Sequence, residues 1–216
     1  MEIFSLSTVL FLLAGGLCAG FVDSIAGGGG MIALPVLLAA GLPVHVALGT
    51  NKLQSSFGSF TAAVNYCAKG LVHPREMVLG VVLTFVGAAC GTVAIQLLSA
   101  KLLTYLIPIM LAIVFLYTLL SPDLGVHDHA ARMNAKLFYF IFGLSLGFYD
   151  GFFGPGTGSF WTVAYVLLLG LNLKKATAHT KVTNFTSNAA ALLFFAMGGK
   201  VVLSAGIIMG IGQVVG

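Results

Sequence analysis

Six stretches of the chain run for 18 residues or more without an Asp, Glu, Lys or Arg: Ile3 to Val22, Ser24 to Asn51, Met77 to Ala100, Leu102 to Pro122, Gly151 to Leu173 and Val182 to Gly199. A further stretch, Val201 to Gly216, reaches the last residue given. About 20 apolar residues in helical form cross the hydrocarbon core of a bilayer, so these runs demand several membrane spans. Only 7% of the residues are charged and the mean hydropathy is +1.06. Such a composition excludes a nucleic-acid binder or a water-soluble enzyme. The runs are continuous rather than alternating, and 28 glycines are scattered through them. That pattern belongs to packed transmembrane helices and not to a barrel, so the expected class is an all-α polytopic membrane protein.

The net charge of +4 arises from basic residues lying mostly between the apolar runs, the usual excess of a multi-pass protein. Cys18, Cys67 and Cys90 fall inside apolar stretches without metal-type spacing and are expected to be buried free thiols. Glu2 stands where a signal peptide would carry a basic residue, so the first stretch reads as the first span.

Internal repetition organises the rest. Gly20-Phe21-Val22-Asp23 matches Gly147-Phe148-Tyr149-Asp150, and a glycine cluster follows each Asp. Thr50-Asn51-Lys52 faces His179-Thr180-Lys181, and Gly87 with Gly91 faces Gly212 with Gly216. The reading is two related halves, residues 1–120 and 137–216, joined by a loop over 121–136. The second repeat is expected to be incomplete, because the sequence stops inside an apolar run. In each half the segment after the glycines is short. Met31 to Leu42 and Gly158 to Leu171 make only about 18 to 21 Å of helix, which predicts half-helices or tilted spans. Glycine-broken short segments at matching positions of two repeats point to the binding site of a secondary transporter, with the repeats in inverted orientation.

The residues GFVDSIAGGGG, GFYDGFFGPGTGS and GTNKLQSSFGSFTAAVNY resemble the TauE/SafE family of sulfite-exporter-like transporters over nearly the whole chain. The resemblance implies movement of small sulfur-containing or organic anions across the inner membrane, coupled to an ion gradient.

The residues support an anion site on their own account. A glycine cluster opening a helix leaves backbone N–H groups and partial positive charge facing the gap. Gly87, Gly91, Gly212 and Gly216 are expected only to pack helices closely. From Lys52, Ser55 and Ser59 lie at i+3 and i+7; from Lys181, Asn184 and Asn188 do. A polar stripe is thus duplicated on one face of two helices. The expected substrate-binding residues are Gly27, Gly28, Gly29, Gly30, Asn51, Lys52, Ser55, Gly154, Gly156, Gly158, Thr180, Lys181 and Asn184. Asp23 and Asp150, each just before a glycine break, are expected to carry the coupling proton. His45 and His179 flank the lysines as lesser candidates for proton carriage, and Trp161 and Tyr165 are expected to anchor or line the second short segment. His127-Asp128-His129 in the connecting loop reads as solvated rather than metal-binding.

No cofactor or metal is called for. The partners expected are a small anionic substrate and membrane lipid, with no nucleic acid and an open oligomeric state. A passive small-anion channel is the alternative, but it has no need of buried acids. An intramembrane aspartyl protease would need Gly-x-Gly-Asp, and Asp23 follows Gly20-Phe21-Val22 instead.

Overall fold

The computed structural model describes residues 4–120 and 128–216, and within them every regular element is helical. The first group comprises α1 (Leu6–Ala26), α2 (Gly30–Ala39), α3 (Val44–Ala68), α4 (Val78–Leu97) and α5 (Ala100–Leu120). The second comprises α6 (Ala135–Phe138), running through one wide π turn into α7 (Leu144–Phe152), then α8 (Thr157–Leu169), α9 (Leu173–Met197) and α10 (Leu203–Val215). The short segments expected from the sequence are α2 and α8, of 10 and 13 residues.

Among the described residues, three segments are long and apolar enough to cross a membrane: Leu6–Ser24, Pro74–Leu97 and Ala100–Leu120. The two longest helices, α3 and α9, are different. Each has 25 residues, and they bury Lys52, Gln54, Thr183, Asn188 and other polar groups. Polar groups are kept off lipid when their helices occupy the centre of a bundle. α3 and α9 pack on each other there, with α1, α4, α7 and α10 around them.

Glycine sets how closely the helices approach. A β-carbon on Gly16 would strike the backbone of Met209, and one on Gly20 that of Gln213, so α1 and α10 run parallel. Gly147 against Thr84 and Gly151 against Ala88 make α7 parallel to α4. Gly206 on Leu53 and Gly210 on Phe57 align α10 with α3. Gly49 meets Phe195, and the rings of Phe60 and Phe185 lie 5.1 Å apart, so α9 runs opposite to α3. α2 returns along α1, with Gly29 over Ala19 O and Gly15 against Val36. α1, α3 and α10 therefore point one way and α9 the other. Lipid tails supply no hydrophobic drive between helices, so such backbone contacts supply much of the cohesion.

Large apolar side chains including Phe21, Val82, Ile113 and Leu116 cover the outside. The cysteines depart from expectation. Cys18 and Cys90 are exposed and Cys67 is half-buried. A thiol is apolar enough to face lipid, whereas the small-residue interior has been taken by glycines.

The connecting loop is described from Asp128 onward; His127 lies outside the described residues. Asp128 accepts from Lys175 Nζ at 2.6 Å and from the Asn172 N–H at 2.7 Å. The N–H of Arg132 donates to Leu168 O at 2.9 Å, which seats the end of the loop on the α8–α9 turn.

Candidate functional site where two broken helices meet

α1 ends because Gly27 turns to φ 68°, and α7 ends just before Gly154 at φ 99°. Few residues other than glycine adopt this left-handed conformation without strain. The two breaks then touch backbone to backbone. A β-carbon on Gly158 would lie 2.6 Å from Gly27 O, and one on Gly27 would lie 2.8 Å from Gly158 Cα. On the second break Pro155 faces Gly30, 3.3 Å from its β-carbon position.

Each break presents its preceding acid to the opposite half. Lys52 Nζ, on α3, donates to Asp150 Oδ1 at 2.6 Å and also to the Asp150 carbonyl. Lys181 Nζ, on α9, donates to Asp23 Oδ2 at 2.8 Å and to the Asp23 carbonyl at 2.9 Å. The Lys52 and Asp150 side chains are only 2% and 3% exposed, and Lys181 and Asp23 are 3% and 16% exposed. The lysines do not face each other as a pair of free cations; each is held by an acid. Gly154 makes room for this, since a β-carbon there would collide with Lys52 Nζ. Each ammonium uses two of its three N–H donors on its acid, which leaves one for another acceptor.

Between the breaks lies a cavity of about 30 Å³ lined by Asp23, Gly27, Gly30, Asn51, Lys52, Ser55, Ser59, Asp150, Gly154, Gly156, Thr157, Gly158, Asn184, Asn188 and Gln213. Its volume is on the scale of one or two waters. Asn51 and Asn184 face it from α3 and α9, and each has a buried Oδ1 without a hydrogen-bond partner among the described residues. Their amide nitrogens lie 3.6 Å and 3.0 Å from the β-carbon positions of Gly30 and Gly158. Two amide groups and an ammonium thus converge where the backbones are barest. Free backbone donors are fewer than the glycine count suggests. The N–H groups of Met31, Ile32 and Ala33 bond the carbonyls of Gly28 and Gly29, and those of Thr157, Ser159 and Phe160 bond those of Gly154 and Gly156.

Of the residues singled out in the sequence, Gly28, Gly29, Thr180 and Lys181 lie off this cavity. Thr180 bonds Thr162 at 3.1 Å. Lys181 lines a wider space of about 230 Å³ on the far side of Asp23, with Tyr66 and Asn65. His179 Nδ1 lies 2.8 Å from Lys175 O, and His45 Nε2 is buried without a partner among the described residues. Trp161 and Tyr165 are fully buried in an aromatic cluster with Phe138, lining α8 from within. Three contributors escaped the sequence reading. Ser187 donates to Asp150 Oδ2, and Gln54 Nε2 donates to Gln213 Oε1 across the α3–α10 contact. Ser187 was visible only as a residue three beyond Asn184, on the flank of the same stripe.

An all-helical membrane protein with broken helices and ion pairs at their meeting point is the architecture of a transporter. Residues 12–216 match the family model described as Sulfite exporter TauE/SafE. The chain belongs to that family and is a membrane transporter. It is 46% identical over 208 residues to the probable membrane transporter protein YfcA of Escherichia coli strain K12, covering 96% of this chain and 77% of that one. A probable membrane transporter protein of Haemophilus influenzae is 43% identical over 211 residues, covering 98% and 82%. The probable membrane transporter protein ORF9 of a Sinorhizobium species is 40% identical over 216 residues, covering 100% and 83%. No solved structure matches the chain.

Proposed function

We propose that the protein is a multi-pass secondary transporter of the inner membrane that moves small sulfur-containing or organic anions, coupled to protons through Asp23 and Asp150. The observation that carries this is the reciprocal pairing of Lys52 with Asp150 and Lys181 with Asp23 at the contact of the two glycine breaks. A buried ion pair is a poor way to stabilise a fold, because desolvation offsets most of its attraction. Held in a cavity, the same pair is a cation with a displaceable anion on it. A substrate anion takes the carboxylate's place on the lysine, Asn51, Ser55 and Asn184 bind its remaining oxygens, and the released carboxylate is neutralised by a proton. A cavity of about 30 Å³ is too small for a standing anion pore, which favours a carrier that opens by turns over a channel.

The same reading makes residues 1–120 and 137–216 inverted repeats. Exchange of the halves maps α1 on α10 to α7 on α4, and α3 on α9 to itself, and both kinds of contact are present. The parallel course of α1 and α3, with α2 folded back between them, supports five crossings in the first half. Lys69, Arg75, Arg132, Lys136, Lys174 and Lys175 then lie on the cytoplasmic side, with Lys101, Lys200 and the amino terminus outside.

Reconstitution into vesicles tests the function. With a pH step imposed, radiolabelled sulfite or a small sulfonate is expected to accumulate above its external concentration. Equilibration without accumulation would make the protein a channel, and accumulation that follows sodium at fixed pH would replace the coupling ion.

A further inference from the structure

The two ion pairs are reciprocal but not equivalent. Among the described residues Lys181 alone donates to the Asp23 carboxylate, and Asp23 borders both the small cavity and the wider space beyond. Asp150 is enclosed, with Lys52 on Oδ1 and the Ser187 hydroxyl donating to Oδ2. The difference is written in the repeat. Ser187 stands six residues after Lys181, and the residue six after Lys52 is Gly58.

Ser187 also has somewhere else to send its proton. Its Oγ lies 3.0 Å from Thr183 O and 3.1 Å from Asn184 O, both good acceptors one turn back on α9. A serine hydroxyl has one proton and two lone pairs, so it can donate to a carboxylate or accept from a carboxylic acid. While Asp150 is ionised, Ser187 donates to it. Once Asp150 is protonated on Oδ2, that O–H donates to Ser187 Oγ and the serine proton turns to Thr183 O. Neither state leaves a buried donor unmade.

Charge balance states when the change happens. The cavity is lined by Lys52, Asp150 and Asp23, and Asp23 is matched by Lys181, so the site is neutral as it stands. An anion entering alone would place an uncompensated charge in a low-dielectric space, at high cost. The other groups around Asp150 do not relieve it. Tyr149, beside it on α7, donates its hydroxyl to Pro155 O at 2.8 Å, and α4 offers the uncharged Thr92, which bonds Gly151 O at 3.1 Å. Lys181 on α9 is committed to Asp23.

Resting on the anion-binding reading above, we infer that Asp150, rather than Asp23, takes up the proton that accompanies anion binding at this site, and that Ser187 is the positioning residue that satisfies Asp150 in both protonation states. One monoanion and one proton from water enter together. Lys52 remains an ammonium throughout, exchanging Asp150 Oδ1 for the anion, and the net charge of the site does not change.

Calorimetric titration of the purified full chain with methanesulfonate, a monoanion without a titratable proton of its own, tests this. Repeating the titration in two buffers of different ionisation enthalpy counts the protons taken up. Wild type is expected to take up about one proton per anion, as is the charge-neutral double variant Asp23→Asn with Lys181→Gln at lower affinity, and Asp150→Asn none, with an affinity that no longer changes with pH. Asp150→Glu, which keeps the acid, is expected to retain the uptake should the asparagine variant fail to fold. Ser187→Ala is expected to displace the pH profile of affinity by about one pH unit, and Ser187→Thr to restore it. Anion binding without proton uptake in wild type, or uptake persisting in Asp150→Asn, overturns the inference while leaving the anion site intact. An unmoved profile in Ser187→Ala removes the serine's role. Absence of binding by methanesulfonate, sulfite, thiosulfate and acetate alike would remove the anion reading itself.

Discussion

Lys52 and Asp150 stand 98 positions apart in the chain, and Lys52 Nζ lies 2.6 Å from Asp150 Oδ1 with almost none of either side chain open to solvent. The contact ties the third helix of one half to the break in the first helix of the other, and Lys181 with Asp23 ties the halves in the reverse sense. Separating the two breaks therefore has to break ion pairs. Under the proposed function, exchanging a carboxylate for a substrate anion would loosen this joint, so that binding and movement share one set of contacts.

Gly158 tests the closeness of the two breaks. A methyl group there would lie 2.6 Å from Gly27 O, and the neighbour is backbone that cannot turn aside. Gly158→Ala is expected to lower stability by about 1 to 3 kcal/mol and to abolish anion binding. Cys90→Ala, at an exposed position, is expected to do neither. The thermal midpoint in detergent and a binding titration report the two effects.

Topology gives a second test. Arg132 and Lys174 are both exposed at one end of the molecule, where Asp128 and the α8–α9 turn meet. In a background lacking Cys18, Cys67 and Cys90, single cysteines at these two positions are expected to react from the same side of the membrane. Labelling from opposite sides would contradict the five-crossing arrangement.

The loop clasp predicts a pH dependence. The hydrogen bond from Lys175, and then that from the Asn172 N–H, hold Asp128 below its ordinary value of 3.8. A carboxylate lowered in the folded state stabilises it above the unfolded value, and this contribution fades as the pH falls through the folded value. Asp128 is exposed, so the effect is small and sensitive to salt. Asp128→Asn is expected to melt slightly below wild type near neutrality, with the gap closing below about pH 4. A gap that persists in acid would mean that Asp128 acts through something other than its charge.

Much of the lining of the candidate cavity was legible in the sequence, because the physics behind it is local. Four consecutive glycines after Asp23 interrupt a helix wherever they fall, and Lys52 with Ser55 and Ser59 makes one face by helical spacing alone. What the chain does with those parts was not legible. Lys52 could have snorkelled, faced Lys181 or met Asp150, and the choice is made by the chain turning at Gly154 after α7, where a β-carbon would collide with Lys52 Nζ. Ser187 and the Gln54–Gln213 bond are invisible for the same reason, since a hydroxyl or amide gains its meaning only from a partner brought in by packing. The cysteines were misread because apolar and buried are different things in a membrane protein. The exterior also faces a greasy solvent.

The central claim is that a substrate anion binds to Lys52, now held by Asp150. Anion affinity measured calorimetrically in Lys52→Gln tests it most directly, with Lys181→Gln, outside the small cavity, as the comparison. Loss of a charge-assisted contact of this kind is expected to weaken binding by about 1.5 to 3 kcal/mol, roughly ten- to a hundredfold, in Lys52→Gln, and by less in Lys181→Gln. Lys52→Arg is expected to rescue poorly, because a planar fork does not fit a site shaped around a compact ammonium. Unchanged affinity in Lys52→Gln would contradict the claim and leave only the glycine breaks and the two asparagines to hold the anion.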